Sequence, residues 1–305
     1  MGGKNLIVVV GPTGVGKSDF CIGLAQRLGT DIISADSRQI YKGMEIGTAA
    51  PTPEQKAAVR HHFVGCLAPT EYYSAAMFEA DATALLGRLF AEHDSVVMTG
   101  GSMMYVDAVC NGIDDIPTVD DVTRAFVKEH FEEDGLEQLC AELKLLDPDY
   151  YFSADIKNPK RVMHALEICY MTGKPYSRFL TSGRKPRGFN IIKVGLTRPR
   201  EELYDRINRR VDAMMLGGLE EEARSLYALK GCNALNTVGY KELFEYFDGK
   251  ISRQEAVEKI KQDSRIYARK QMTWFKRDAD MVWFSPDDWQ GVANYLIERG
   301  LSLPE

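Results

Sequence analysis

The sequence predicts an α/β chain in which a parallel sheet is flanked by helices and interrupted by an all-helical insertion. Three observations predict it. The apolar run Leu6–Val10 leads directly into GPTGVGKS, Gly11 to Ser18, and from there into Asp19–Leu28, with helical spacing at Phe20, Leu24 and Leu28. Strand-like runs then alternate with helical ones, as in sheets built from crossover units. From Val122 to Phe179 the periodicity is helical throughout and no strand appears.

Taken in order, Thr30–Ala35 is a short strand ending at Asp36, followed by a polar strand-end loop. Tyr41–Thr48 and the Pro51–Pro53 pair read as loop, and His61–Val64 as a weak strand. Tyr73–Phe90 is an amphipathic helix capped by Ser74. Ser95–Thr99 is a central strand that turns sharply at Gly100-Gly101-Ser102. Texture changes at Asn111-Gly112, and residues 112–188 form the insertion, broken at Asp134-Gly135, Asp147-Pro148 and Asn158-Pro159. The core is accordingly 1–111 with 189–305. It resumes with the strand Ile191–Thr197 and the helices Glu201–Leu216 and Leu219–Leu229. A turn at Gly239 then leads to a helix ending at Phe247, a long helix from about Ser252 to Arg277, the strand Met281–Phe284 and a terminal helix.

Bulk properties narrow the class. At 305 residues the chain can bury a full core. No apolar run approaches the roughly 20 residues of a membrane span, and no basic-then-apolar leader precedes the first strand. A cytoplasmic protein without a membrane partner, acting as a monomer, is expected. Six scattered cysteines without a CxxC pair read as reduced thiols. The net charge of −6 is unevenly distributed: 112–155 holds thirteen acidic residues against three basic, whereas 183–210 holds nine basic against three acidic. Residues 264–277 hold five basic and none acidic, which permits a positive groove on an acidic chain.

The chemistry centres on the phosphate loop. Gly11, Pro12, Thr13, Gly14, Val15, Gly16, Lys17 and Ser18 match GxxxxGK[ST] between a strand and a helix, the context that makes a P-loop NTPase-like nucleotide- or diphosphate-binding site. Its amides point inward at phosphate, the helix start adds partial positive charge, and Lys17 supplies an ammonium. Ser18 can ligate magnesium carried by the phosphates. Strand-end residues Asp36, Ser37, Arg38 and Gln39 should lie nearby. Asp36 reads either as an Asx turn or as a carboxylate that takes a proton or contacts magnesium. The Ser95–Thr99 strand lacks the terminal aspartate of hydrolytic P-loop ATPases, which favours group transfer. Ser102 reads as a phosphate or substrate contact, or as a helix cap. Arg265, Arg269 and Lys276 share one side of the long helix, and Tyr267, Gln271 and Trp274 another; a polyanion site and a solvated basic face both fit this pattern.

Together these residues resemble the tRNA dimethylallyltransferase family, nearly from end to end. The resemblance is carried by GPTGVGKS, SADSRQIYKGMEIGTAAP at 34–51, EYYSAAMF at 71–78, the GGS turn with Tyr105, and NPKRVMHALEI at 158–168. It continues through LTRPREELYDRINRRVDAM at 196–214, and VGYKEL followed by SRIYARKQMTWFKR at 238–277. The family usually has Thr at Ser18 and Ser102, Gly-Leu at Met103-Met104, and Lys at Ala50. The first exchange keeps the hydroxyl; the last removes a cation.

The resemblance implies transfer of a dimethylallyl group from dimethylallyl diphosphate to N6 of the adenosine 3′-adjacent to the anticodon. It implies Asp36 as general base, and a catalytic set completed by Lys17 and Ser102. Mg2+ would sit on Ser18, and Arg206 and Arg210 would clamp the diphosphate or form a solvated face. Asp36, Ser37, Arg38, Gln39, Ser102, Arg124, Lys160, Arg161, Val162, Met163 and His164, with Arg265 and Arg269 along the stem, would contact the tRNA anticodon stem-loop. Three rivals share some features. A small-molecule kinase predicts a short arginine-bearing lid, and an enzyme prenylating free adenine nucleotides needs no insertion. A nucleotide-dependent RNA-binding module needs no carboxylate at Asp36.

Overall fold

The structure, a computed structural model, describes residues 3–180 and 183–303; Thr181 and Ser182 of the expected insertion lie outside the described residues. The chain divides into two compact units, one formed by residues up to Cys110 with those from Pro186 onward, the other by Asn111–Lys185.

The first unit is built on a sheet of order β3-β2-β4-β1-β5-β6, parallel at every pairing. Its strands are β1 (Asn5–Val10), β2 (Ile32–Ser34), β3 (His61–His62), β4 (Ser95–Thr99), β5 (Asn190–Leu196) and β6 (Val282–Phe284). β1 is central, pairing with β4 on one side and β5 on the other, and every residue in it is buried. That explains its unbroken apolar run: both faces are covered, so no position alternates to polar. Leu6, Val8 and Val10 pack on one face with α3 (Ala75–Glu92) and α4 (Met103–Asn111). Ile7 and Val9 pack on the other with α1 (Lys17–Leu28) and Ile207 of α8 (Arg200–Leu216).

A third apolar cluster joins Tyr41 and Met44 to α9 (Leu219–Ser225), α10 (Tyr240–Phe247) and α11 (Arg253–Phe275). The chain ends in α12 (Trp289–Glu298), whose Val292 and Leu296 pack on the α1 face. No described helix is long and apolar enough to cross a membrane, and all six cysteines are free.

The second unit is helical: α5 (Asp121–Leu146), α6 (Pro148–Ser153) and α7 (Pro159–Thr172), closed by a 3-10 turn at Tyr176–Phe179. It has a core of its own, including Val127, Leu139, Leu143, Val162, Leu166 and Ile168. Asp147 starts α6 by accepting from the Tyr150 amide, and the same carboxylate holds the amide and hydroxyl of Ser177. Asn158 caps α7, where Pro159 occupies the first turn and leaves no amide wanting a partner.

Two expectations are corrected. The Pro51–Pro53 stretch does not remain loop: α2 (Pro53–Ala58) starts there, capped by Thr52 and Gln55 in a reciprocal box. The helix from Leu219 ends at Ser225, and Tyr227–Leu229 forms a separate 3-10 turn. The sharp turn expected at Gly100-Gly101-Ser102 is present, and α4 follows it. The helical backbone breaks at Asp134-Gly135 as expected: Gly135, at φ 78 and ψ 179, separates two helical stretches within α5.

Candidate functional site

The loop between β1 and α1 opens a cleft of about 1420 Å³ at the carboxyl edge of the sheet. Gly16, at φ 108, turns the chain into α1 in a conformation that L side chains rarely adopt, so the helix begins without a side-chain cap. Its first amides are left for an anion instead. Lys17 folds back, donating to the carbonyls of Gly11 (2.9 Å) and Pro12 (3.0 Å). Burial, and then the neighbouring Arg210 guanidinium, lower its pKa to about 8, against an opposing pull from Asp36. Burial alone pushes the Arg210 guanidinium down, and Asp36 again opposes.

Arg206 and Arg210 lie one turn apart on α8 but do different things. Arg206 Nε donates to the Gly14 carbonyl at 2.9 Å and so braces the loop from outside. Arg210 forms no hydrogen bond or ion pair among the described residues and lines the cleft. A further brace, Arg198, was not singled out from the sequence. Its Nε donates to the Val15 carbonyl at 2.9 Å, while its other nitrogens meet Glu202 and Asp287. Its position just beyond the end of β5, where ligands gather in such sheets, is the signal that marks it.

Opposite the loop, Asp36 forms the Asx turn of its first sequence reading and leaves one carboxylate oxygen open. Oδ1 accepts the amides of Arg38 (2.9 Å) and Gln39 (3.2 Å), an Asx turn, and Oδ2 takes no hydrogen bond among the described residues. Ser102 stands at the N-cap position of α4, its carbonyl accepting the Tyr105 and Val106 amides, but its hydroxyl does not cap the helix. Its hydroxyl, buried, accepts the Ser37 amide at 2.7 Å and donates to Ser37 Oγ at 2.9 Å, tying the turn after β4 to the loop after β2. The turn comes so close that a Cβ on Gly100 would fall 2.1 Å from the Ala35 carbonyl oxygen.

Arg38 and Gln39 are largely occupied within the protein. Arg38 Nη1 donates to the Asn233 carbonyl at 2.7 Å, and the Gln39 amide bridges Ser34 to the Thr48 and Ala49 carbonyls.

The long helix α11 divides as its spacing suggests. Arg269 and Lys276 are exposed, whereas Arg265 donates to Asn208 of α8 at 2.5 Å. On its other side Tyr267 and Gln271 meet the Gly101 carbonyl, Gln271 also meets the Thr13 amide, and Trp274 donates to Asp107 at 2.9 Å.

In the helical unit Arg124 lies on α5, and Lys160, Arg161, Met163 and His164 lie on α7, His164 against Glu167 at 3.2 Å. Val162 is a correction: it is 1% exposed inside that unit's core, so its side chain packs protein.

Ser18, exposed at the start of α1, and the Asp36 carboxylate are the cleft groups that would hold a metal. No group of three His, Cys, Asp or Glu side chains suited to a metal occurs among the described residues. Such a donor set fits Mg2+ brought in largely by phosphate oxygens and water, and does not fit a dedicated protein cage.

A family model described as IPP transferase matches residues 39–278. The tRNA dimethylallyltransferase 1 of Phocaeicola vulgatus is 62% identical over 291 residues, 95% of this chain and 97% of the relative. That of Bacteroides thetaiotaomicron is 62% identical over 297 residues, 97% of this chain and 96% of the relative. Among solved structures, the tRNA isopentenylpyrophosphate transferase of Bacillus halodurans is 36% identical with TM-score 0.70, covering 97% of this chain and 96% of that one. A eukaryotic dimethylallyltransferase acting on tRNA is similar in fold, with TM-score 0.83 at 23% identity, over 99% and 81% of the two chains.

Proposed function

Because this chain belongs to the tRNA dimethylallyltransferase family and so transfers a dimethylallyl group to tRNA, we propose that its acceptor is N6 of the adenosine 3′-adjacent to the anticodon. The donor is dimethylallyl diphosphate and the leaving group diphosphate. One observation carries this reading: a cation-lined phosphate loop and a carboxylate with a free oxygen, Asp36 Oδ2, share one cleft.

As the allylic C–O bond breaks, its electron pair goes to the diphosphate. Lys17, Arg210 and the amides at the start of α1 stabilise that growing charge in a site of low dielectric. The adenine amine is a poor nucleophile, its lone pair being delocalised into the ring. Asp36 Oδ2 accepts a hydrogen bond from it and takes its proton as the N–C bond forms. Oδ1, held by two backbone amides, fixes the direction in which Oδ2 points. Mg2+ held by Ser18 would share in neutralising the diphosphate. The adenosine must leave its stack to reach this cleft, at a cost of a few kcal/mol. Arg124, Lys160, Arg161 and His164 of the helical unit, with Arg269 of α11, are assigned to the anticodon stem-loop.

The test is incubation of the protein with unmodified tRNA, radiolabelled dimethylallyl diphosphate and magnesium. Label should appear in tRNA at that one adenosine, located by nuclease mapping. Label in free AMP would favour the nucleotide enzyme, and ATP consumption without labelling would favour a kinase.

A further inference from the structure

We infer that Gln271 is a positioning residue that fixes the separation between the diphosphate cradle and the acceptor side of the cleft. This rests on the transfer reading above. Gln271 is 1% exposed, and its carboxamide is used at both ends. Oε1 accepts the Thr13 amide of the phosphate loop at 2.8 Å, and Nε2 donates to the Gly101 carbonyl at 2.8 Å. The Tyr267 hydroxyl, one turn earlier on α11, donates to the same carbonyl at 3.1 Å.

Gly101 precedes Ser102, whose hydroxyl holds the residue that follows Asp36. One buried side chain therefore joins the loop that grips the leaving group to the turn that orients the proton acceptor. The helix carrying it is itself fixed, with Ala268 buried on one face of the sheet and Phe275 on the other. Thr13 and Gly101 lie 258 and 170 residues from Gln271 in sequence; their loops leave the paired strands β1 and β4, and beyond the last pair, Val9 with Thr99, Gln271 ties one loop to the other.

The chemistry makes the separation matter. Once the C–O bond has loosened, allylic carbon is captured by whatever nucleophile stands about 3–3.5 Å away, and a displacement near 1 Å can cost on the order of 100-fold. With the adenine amine in line, the N–C bond forms and Asp36 takes the proton. With the amine displaced, water attacks instead. Its oxygen bonds to carbon, a proton is released to solvent, and the products are dimethylallyl alcohol and diphosphate. Gln271 would thus govern the partition between transfer and hydrolysis.

The experiment measures both products from labelled dimethylallyl diphosphate under single-turnover conditions, comparing wild type with Gln271→Met, which keeps the length and removes both hydrogen bonds. Transfer should fall roughly 10- to 100-fold and the ratio of alcohol to prenylated tRNA should rise at least about tenfold, with tRNA affinity unchanged. Tyr267→Phe leaves the bridge intact and should keep the wild-type ratio. Should Gln271→Met not fold, Gln271→Glu serves, because its carboxylate still accepts from Thr13 yet cannot donate to Gly101. A ratio equal to wild type, with both products reduced together, would assign Gln271 to folding alone and overturn the inference. Wild-type protein that labels no tRNA would instead remove the transfer reading, and this inference with it.

Discussion

Tyr240 and Glu222 meet at 2.6 Å beneath the cleft, and the Glu222 carboxylate also accepts the amides of Ile46 and Gly47, each at 2.8 Å. Burial, then Glu222 itself, drive the Tyr240 hydroxyl far above its ordinary pKa, so it remains a neutral donor. This cluster pins the segment from Ile46 to Thr52, which forms one wall of the cleft. Glu222→Gln replaces an acceptor of three hydrogen bonds with a group that must turn a donor toward other donors. Unfolding in urea should show a loss of about 1.5–3 kcal/mol, the range for hydrogen bonds to a charged group. A variant as stable as wild type would show that the wall holds without the carboxylate.

Asp36 combines an oxygen held by two backbone amides with an open one that the proposed function makes the proton acceptor, and the two roles can be separated. Asp36→Asn keeps an oxygen able to accept the Arg38 and Gln39 amides, but it cannot take a proton. Its melting temperature should match wild type, while single-turnover transfer should drop by about two orders of magnitude or more. Asp36→Ala should lose both the turn and the transfer. Full turnover in the asparagine variant would move the proton acceptor elsewhere.

These two cases mark what the sequence can and cannot reveal. The phosphate loop is legible because its signal is local: glycines, lysine and hydroxyl lie within eight residues, between an apolar run and a helical one. Asp36 is legible for the same reason, at the end of a strand beside that loop. The capping box at Thr52–Gln55 was also in plain view, but the neighbouring prolines read more strongly as loop. α4 carries no polar stripe to reveal it, because Tyr105, Val106, Ala108, Val109 and Cys110 are all buried. The roles of Gln271 and Glu222 depend on partners more than 150 residues distant, and no spacing rule reaches that far. Arg206 and Arg210 looked equivalent at one turn apart; only the fold shows that one braces a carbonyl and the other faces open space.

If Lys17 grips diphosphate as proposed, binding should depend on pH. Its pKa of about 8 in the empty protein lies below the ordinary 10.5, so between these values the unfolded chain holds a proton the folded chain has released. The group's contribution to stability therefore rises with pH across that window and is lost as pH falls through about 8. Diphosphate acts in the opposite sense, since it favours the ammonium and raises the pKa. Calorimetry at pH 8 in buffers of different ionisation enthalpy should detect proton uptake on binding, and affinity should weaken as pH rises further. Lys17→Met should abolish the uptake; if it persists, another group is the one being protonated.

Arg210 adds charge to the cleft without bonding to it, so its removal should weaken binding but not folding. Arg210→Met should raise the pKa of Lys17, because a neighbouring cation is gone. Diphosphate affinity should fall about 10- to 100-fold, matching the 1.5–3 kcal/mol of a charge-assisted hydrogen bond. Stability of the empty protein should be equal or higher. Arg206→Met should differ by loosening the loop at Gly14, visible as faster amide exchange there. Equal exchange in the two variants would deny the division between brace and clamp.

The basic side of α11 separates in the same way, and salt distinguishes its members. Arg269 is exposed and makes no hydrogen bond or ion pair among the described residues, whereas Arg265 is committed to Asn208. A cation that neutralises one phosphate releases about one counterion, and its loss lowers the slope of log affinity against log salt by about one. Arg269→Ala should therefore flatten the salt dependence of tRNA binding by about that amount and leave the melting temperature unchanged. Arg265→Ala should act mainly on stability, through the α8–α11 contact, with the slope little altered. If Arg269→Ala leaves the slope at its wild-type value, that face is solvated and tRNA follows another path across the protein.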